Sequence, residues 1–412
     1  MFRKIKIERW RQFELVDIEF HPSLTVLTGA NGSGKTTILN ILSKHYGWNT
    51  LFISTPKRES TGLLKFFTDI WNSLLNDQVD KNINQIIIGE IEYQNGQKAE
   101  LLVNNNVGSV YEVYFRNQNV INGFHVPSHR PVYLYKEVTS IPTIPKTKEA
   151  AFVDHSNEII NKYQGGYSQK TANSVIKETL ISLAVFGAGN NFVVANPDAL
   201  NTFNGYQEVL RKVLPKQLGF KKIIIETPEV LLDTESGLFS LDAVSGGIAS
   251  IIDLCWQIYM YSGSKLMEKC TVTIDEPENH LHPEMQKSLL TDLVKAFPNC
   301  QFIVSTHSPF IVTSSPDSSV YALHYNEENR VTSSSLNMLD KAGSANDILR
   351  DVLGLDNTLP IWVESRIQEI TQKYLTGEVT SEKLIKLKEE MSSLGLGHLF
   401  PTTANQVFKG RS

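Results

Sequence analysis

Eight residues, Gly29-Ala30-Asn31-Gly32-Ser33-Gly34-Lys35-Thr36, limit the folds open to this chain more than any other stretch. They match GxxxxGK[ST] at each fixed position. They also stand between an apolar, β-prone run (Leu24 to Thr28) and a helical apolar pattern (Ile38, Leu39, Ile41, Leu42). A strand that turns through glycines into a helix aims several backbone N–H groups and the positive end of the helix dipole at one point, where phosphate can sit. Lys35 would then meet β- and γ-phosphate oxygens, and the Thr36 hydroxyl would ligate Mg²⁺. Gly29, Asn31, Gly32, Ser33, Gly34 and Thr37 complete the expected nucleotide contacts, and ATP with Mg²⁺ is the expected cofactor pair.

The remaining chain is read outward from that octet. Met1-Phe2-Arg3-Lys4-Ile5-Lys6-Ile7 alternates charged and apolar side chains, and residues 2–29 divide into three short strands. Lys35 to Tyr46 follows as a helix with its N-terminus toward the glycines. Residues 84–136 alternate β-branched and aromatic residues between turn signals at Asn95-Gly96 and Asn104 to Gly108, which predicts an antiparallel sheet. Pro142 and Pro145 mark a change of texture, and Lys148 to Leu214 reads mainly as helices. Strand patterns return at Lys221 to Leu232 and Gly237 to Leu241. A helix (Ile248 to Tyr261), a strand (Thr271 to Ile274), another helix and a strand (Gln301 to Ser305) complete an α/β core. Beyond Ser344, Val363, Ile367, Ile370 and Tyr374 repeat at helical spacing. Leu384, Leu387, Met391 and Leu394 do the same after a Thr380-Ser381 cap with Glu382 in the first turn. Such stripes are packing seams, and a helical hairpin docked on the domain or on a partner is expected.

With 41% hydrophobic and 20% charged residues, a chain of 412 residues can bury an ordinary globular core. No apolar run is long enough to span a bilayer, and the start lacks the apolar core and cleavage site of a signal peptide. A cytoplasmic location with no membrane partner is therefore expected. Cys255, Cys270 and Cys300 lie in apolar stretches with no CxxC or Cys/His spacing, as buried reduced thiols do. The net charge of -5 gives no whole-molecule attraction to nucleic acid. Locally, Arg211, Lys212, Lys216, Lys221 and Lys222 form a basic run with two readings, a solvated helix face leading into a strand or a DNA groove, of which the first is the simpler.

A second chemistry-bearing segment is Asp275-Glu276 at the end of the strand Thr271 to Ile274. An acid held at a strand end beside bound phosphates can hold the Mg²⁺ shell, which is the role expected of Asp275. Glu276 would orient and deprotonate an attacking water. The surrounding residues carry a resemblance. Thr273-Ile274-Asp275-Glu276-Pro277-Glu278-Asn279-His280-Leu281-His282-Pro283, followed by Ser305-Thr306-His307-Ser308-Pro309, resembles the Walker B, D-loop and switch-histidine segments of ABC-class AAA-type ATPases. The DEPExxLHP and THSP forms are similar to the SMC/RecF/OLD-like branch, which includes ATPase subunits of bacterial anti-phage defence systems. The likeness runs discontinuously from Phe2 to about Leu323.

That resemblance implies an ABC-type ATPase fold of the α/β class, a P-loop core sheet plus an antiparallel β lobe, with an inserted helical lobe and a helical C-terminal tail. The expected division is an ATPase lobe over 1–140, the helical insertion over 141–220, a second ATPase lobe over 221–342 and the tail over 343–412. Val244-Ser245-Gly246-Gly247, thirty residues before Asp275, resembles the ABC signature. In that family the signature caps the γ-phosphate of ATP held by the opposite protomer, and Ser245, Gly246 and Gly247 inherit the role. A hydroxyl and two flexible N–H groups at a helix start suit it physically. Ile248 departs from the polar residue common there. His307 is implied as the residue that senses the γ-phosphate and supports the attacking water. Trp10-Arg11-Gln12-Phe13 resembles the NFRxF segment of the same branch, so that Arg11 is either a nucleotide contact or a surface arginine. No glutamine is assigned to the Q-loop.

Function follows from the same residues. The first reading is an ATP-hydrolysing homodimer, or higher homo-oligomer, acting as a switch in phage defence or genome maintenance and controlling a separate effector protein such as a nuclease. DNA stays open as a further partner. A RecF-like repair ATPase is the alternative. A transporter ATPase fits less well, because it expects a smaller insertion. OLD-type proteins carry their own nuclease domain, but the roughly one hundred residues after His307 offer no DxD pair on a strand end. A scaffold that binds ATP with little turnover is the fourth reading.

Overall fold

The computed structural model describes residues 1–58, 64–68, 85–104, 108–130, 133–163, 165–168, 170–262, 269–337, 341, 343–352, 359–375, 380–401 and 403–404. The opening alternation forms β1 (Phe2–Trp10), with Phe2, Ile5, Ile7 and Trp10 fully buried. β2 (Phe13–Glu19) returns antiparallel to it, Ile5 facing Ile18. β3 (Leu24–Gly29) is buried along its whole length and leads through the glycine loop into α1 (Lys35–Ser43). Ile38, Leu39, Ile41 and Leu42 form the buried face of α1, as their spacing requires.

Eight strands follow: β4 (Phe52–Ile53), β5 (Thr55–Arg58), β6 (Leu64–Phe67), β7 (Gln85–Tyr93), β8 (Lys98–Asn104), β9 (Val110–Tyr111), β10 (Tyr114–Arg116) and β11 (Gly123–Val126). β7 and β8 make the expected hairpin around Asn95-Gly96, where Gly96 takes φ 82° and donates its N–H to Tyr93 O. Of the second expected turn, Asn104 to Gly108, residues 105–107 lie outside the described ones. β11 departs from the antiparallel expectation for residues 84–136, because it pairs in parallel with the strand that ends at Asp275, Val126 facing Ile274. All four of its residues are buried, the mark of a core strand covered on both faces.

Three helices come next, α2 (Lys148–Tyr163), α3 (Ala172–Ala188) and α4 (Pro197–Val213). Thr171 and Ser174 form a capping box at α3, and Asn196 caps α4 ahead of Pro197. A separate antiparallel sheet of β12 (Lys222–Glu226), β13 (Glu229–Thr234) and β14 (Gly237–Ser240) precedes α5 (Gly246–Tyr261). β15 (Cys270–Asp275), α6 (Pro283–Ala296), β16 (Cys300–Ser305), α7 (Pro309–Val312), β17 (Ser319–Tyr325) and β18 (Val331–Ser335) complete the core. The basic run is split between the last turn of α4, the residues after it and the start of β12, and Arg211 pairs with Glu208 and donates to Lys221 O.

Eleven of the described strands join into one sheet in the order β10-β8-β7-β1-β2-β18-β17-β3-β16-β15-β11, while β4 pairs with β9 and β5 with β6. Its β17-β3-β16-β15-β11 half is parallel and its β10-β8-β7-β1-β2 half antiparallel. β18 is the seam, antiparallel to β17 and parallel to β2. Successive residues on the parallel strands point to opposite faces. Val26, Phe302 and Val304 therefore join one core with α3, α4, α5 and α6, while Leu27 and Ile303 join a second with α1 and the antiparallel half. The inserted helices α2, α3 and α4 thus share the first core with the parallel strands.

The chain divides into two compact units, Met1–Gly354 and Leu355–Ser412. The second unit holds α8 (Ile361–Leu375) and α9 (Ser381–Ser393). Its two stripes meet in one cluster of Val363, Ile367, Ile370, Tyr374, Leu387 and Met391, with Leu384 packed against it, and Thr380 caps α9. Leu394 departs from the stripe and is exposed, because α9 ends at Ser393.

Candidate functional site

The parallel strands all point their C-terminal ends to one edge, where Gly29, Asp275 and Ser305 end β3, β15 and β16. Gly29 has φ 140°, and a Cβ there would stand 2.2 Å from Leu323 O, so only glycine lets β3 turn beside β17. Gly34 (φ 97°) precedes α1, and a Cβ on it would stand 2.3 Å from the Phe13 ring. Lys35 is only 5% exposed and folds its ammonium over the loop, donating to Gly29 O at 2.9 Å and Ala30 O at 3.1 Å. Burial pushes its pKa down to about 8, against the opposing pull of Asp275, Glu276 and Glu278. The Ser33 hydroxyl is buried within the loop with no hydrogen-bond partner. Asn31 and Gly32 are exposed at the loop tip, Thr36 is exposed at the start of α1 and Thr37 is half-buried behind it.

Thr36 Oγ1 donates to Asp275 Oδ2 at 3.0 Å, and Ser305 Oγ donates to Asp275 Oδ1, which ties the ends of three elements together. Burial raises the Asp275 pKa despite both donors. A buried carboxylate beside a threonine hydroxyl, with a lysine against the next loop, is a donor set that suits a hard divalent cation and a phosphate. Glu276 takes φ 49°, and its carboxylate is half-buried. Its Oε2 accepts from Asn279 at 2.9 Å and its Oε1 lies 3.9 Å from His307 Nε2. Burial, then the charge of Lys35, lowers the His307 pKa, which favours a neutral imidazole near neutrality.

Two residues that carried no assignment from sequence join this edge. Arg130 is buried, donating to Glu276 O and Pro277 O at 3.0 Å and to Ser250 Oγ at 2.6 Å. Burial lowers its pKa to about 10, and the surrounding acids oppose that shift. It braces the positive-φ backbone of Glu276 from below. Its only sequence signal is a Pro127-Ser128-His129-Arg130 stretch directly after β11. Glu278 Oε1 accepts from Thr306 Oγ1 at 2.7 Å and from His307 N at 2.8 Å, so it links the turn after β15 to the turn after β16.

The structure does not bring Ser245, Gly246 and Gly247 to the Gly29–Thr36 loop. Ser245 caps α5, accepting from Ile248 N, and Ser245 and Gly246 are exposed. A Cβ on Gly247 would stand 2.9 Å from His280 O, so the signature-like turn abuts the segment after Glu276 instead. Arg11 (φ 53°) has its guanidinium 5.9 Å from the Trp10 ring centre and 5.7 Å from that of Phe52. Its neighbours Gln12 and Phe13 are the ones that reach the glycine loop, Gln12 Nε2 donating to Gly32 O at 3.4 Å. Among the described residues, no helix is long and apolar enough to cross a membrane.

Septu protein PtuA of Bacillus thuringiensis is 21% identical over 389 residues, covering 89% of this chain and 87% of that protein. The Retron Ec83 probable ATPase of Escherichia coli is 22% identical over 374 residues, covering 74% and 68%. Among solved structures, the SMC head domain from Thermotoga maritima aligns with a TM-score of 0.44 at 11% identity, over 82% of this chain and 99% of that one. A model of the AAA ATPase domain matches residues 1–312, and the chain belongs to that family.

Proposed function

We propose that this protein binds and hydrolyses ATP at composite sites, each made from the Gly29–Thr36 loop of one copy and the Ser245–Gly247 turn of another. The observation that carries the reading is the Thr36–Asp275–Ser305 chain of hydrogen bonds, with Glu276 and His307 poised 3.9 Å apart at its rim. Loop N–H groups and Lys35 bind and orient the triphosphate, and Ser33 gains there the partner its buried hydroxyl lacks. Thr36 and Asp275 are the residues that would hold Mg²⁺, whose charge offsets that of the phosphates as the terminal bond breaks. Glu276, oriented by Asn279 and braced by Arg130, takes the proton of the attacking water, and His307 steadies that water or the γ-phosphoryl group. Ser245 and Gly246, exposed at the start of α5 with Gly247 buried behind them, offer the second phosphate cradle.

The Septu and retron relatives support a finer reading, in which this ATPase is the sensor or scaffold half of an anti-phage system and governs a separate effector. ATP can act on such a partner only through a difference in affinity between open and closed states, so the partner belongs on a surface that moves or forms on dimerisation. Helices over 148–214 and 359–394 are the proposed contact regions.

Purified Ser245→Arg protein should hydrolyse ATP poorly although its own glycine loop is intact. Mixing it with Lys35→Ala should restore activity, because the mixed dimer pairs one intact loop with one intact turn. Demonstrated heterodimers without recovery would remove the composite site. For the finer reading, the protein is co-expressed with its genomic neighbours, pulled down, and the cells challenged with phage. Protection by the chain alone would sink the two-component proposal.

A further inference from the structure

Outside the nucleotide edge, a cluster of buried polar groups gathers around Lys177. This lysine sits in the middle of α3 with 0% exposure, between Ile176 and the buried Leu180 and Ile181. Its ammonium donates to Asp242 Oδ2 at 2.6 Å, Glu229 Oε2 at 2.8 Å and Lys136 O at 3.0 Å. One turn earlier on the same helix, Asn173 donates to Asp242 Oδ1 at 2.6 Å and to Leu134 O at 2.8 Å. Asp242, whose side chain is 2% exposed, therefore has each carboxylate oxygen held by a different residue of α3.

Position gives this cluster its meaning. Asp242 lies in the single turn Leu241–Ala243, and Ser245 starts α5 two residues after that turn. A purely packing role for α3 would be served by an apolar residue at position 177, since a buried charge network gains little stability over well-packed apolar groups. What directional bonds add is placement, because Asp242 cannot slide along α3 without breaking one of two short charge-assisted hydrogen bonds. Burial works against the Lys177 ammonium, yet Asp242 and Glu229 outweigh it and hold the pKa above the ordinary lysine value, so the charge is permanent.

We propose that Lys177 and Asn173 are positioning residues that set the Ser245–Gly247 turn, so that helix α3 governs the cradle offered to the ATP of a second copy. The inference rests on the composite-site reading above. It assigns the inserted helices a task in the nucleotide cycle: a displacement of α3 alters hydrolysis at the other copy's loop and leaves its own loop untouched.

The test is a complementation matrix with Lys177→Met and Asn173→Ala. The second variant removes a neutral donor only, so it leaves no buried charge unpaired and covers the case in which the first misfolds. Each variant alone should bind a fluorescent ATP analogue like the wild type while turnover falls about tenfold. Mixed with Lys35→Ala, each should recover toward about half of wild-type turnover per heterodimer, since one of the two sites is then whole. Mixed with Ser245→Arg, neither should recover, because both partners lack a working turn. If Ser245→Arg recovers with Lys35→Ala but the α3 variants do not, or if they recover with Ser245→Arg, the inference fails while the composite site stands. If Ser245→Arg also fails to recover with Lys35→Ala, the composite site falls and the inference with it.

Discussion

The glycine-bearing starts of α1 and α5 differ in what surrounds them. At Gly29–Thr36 the helix N-terminus is joined by a buried lysine, a threonine bonded to a buried aspartate and a glutamate with its own orienting partners. At Ser245–Gly247 the helix start is exposed, and the sequence holds no Lys or Arg between Lys222 and Lys265. The first gathers within one copy the groups that the proposed phosphate and Mg²⁺ site needs. The second has a hydroxyl, flexible backbone and a helix dipole, enough to recognise an anion that is already held elsewhere. On the composite-site proposal, binding energy and chemistry belong to the first loop, whereas the second adds a geometric condition on when chemistry proceeds.

The largest expected effect separates these two contributions. Glu276→Gln keeps the shape of the first site and removes its base, so hydrolysis should fall by about 10²–10⁴-fold while ATP affinity holds. ATP should then trap a dimer, measurable by light scattering. Adding Ser245→Arg to the same chain should abolish the trap without changing binding to a single copy. A trap that survives the second substitution would mean that the turn takes no part in closure.

A smaller effect lies in the pH dependence. Lys35 has a pKa near 8 in the free protein because it is buried, and pairing with phosphate must raise it. Below about pH 8 the lysine is charged in both states and affinity is flat. Above it, binding must take up a proton, so affinity should fall by up to about tenfold per pH unit until the bound-state pKa is reached. Titrating ATP binding from pH 7 to 10 by calorimetry in buffers of different ionisation enthalpy checks both the fall and the proton uptake. Lys35→Arg should stay flat over the same range. Dimerisation at saturating ATP should not share the dependence, since the Ser245–Gly247 turn supplies no lysine.

What could be read in the sequence follows the same divide. The glycine loop was legible because its spacing, the preceding strand and the following helix all lie within twenty residues. Asp275, Glu276 and His307 were legible through strand ends and a family likeness, and the structure places all three on the edge that Gly29 occupies. Arg130 was not, because its work is done through backbone carbonyls 146 and 147 residues away, and no local pattern announces such a partner. Lys177 was hidden for a related reason: a lone lysine in a helical pattern reads as solvated, and only the tertiary fold shows two acids around it. The β17–β18 seam joins the two halves of the sheet through pairings with β3 and β2 some three hundred residues away, beyond the reach of periodicity.

The smallest effect concerns Arg11, for which sequence left two roles open. Its guanidinium lies close to the rings of Trp10 and Phe52, on the same short connection that delivers Gln12 and Phe13 to the glycine loop. If it serves the first cradle, it does so by offering its outer face to a nucleotide base while the inner face rests on those rings. A cation–π contact of that kind contributes about 0.5–1 kcal/mol, so Arg11→Ala should weaken ATP binding by about two- to fivefold. Because the contact is to the base, the loss should be the same for ATP and ADP and vanish for inorganic triphosphate. Arg11→Lys should recover part of it. If the arginine only covers Trp10 and Phe52, the melting temperature drops by a few degrees and all three affinities stay equal to wild type. That outcome would confine the first cradle to the glycine loop and the strand ends, and would remove Arg11 from the nucleotide site.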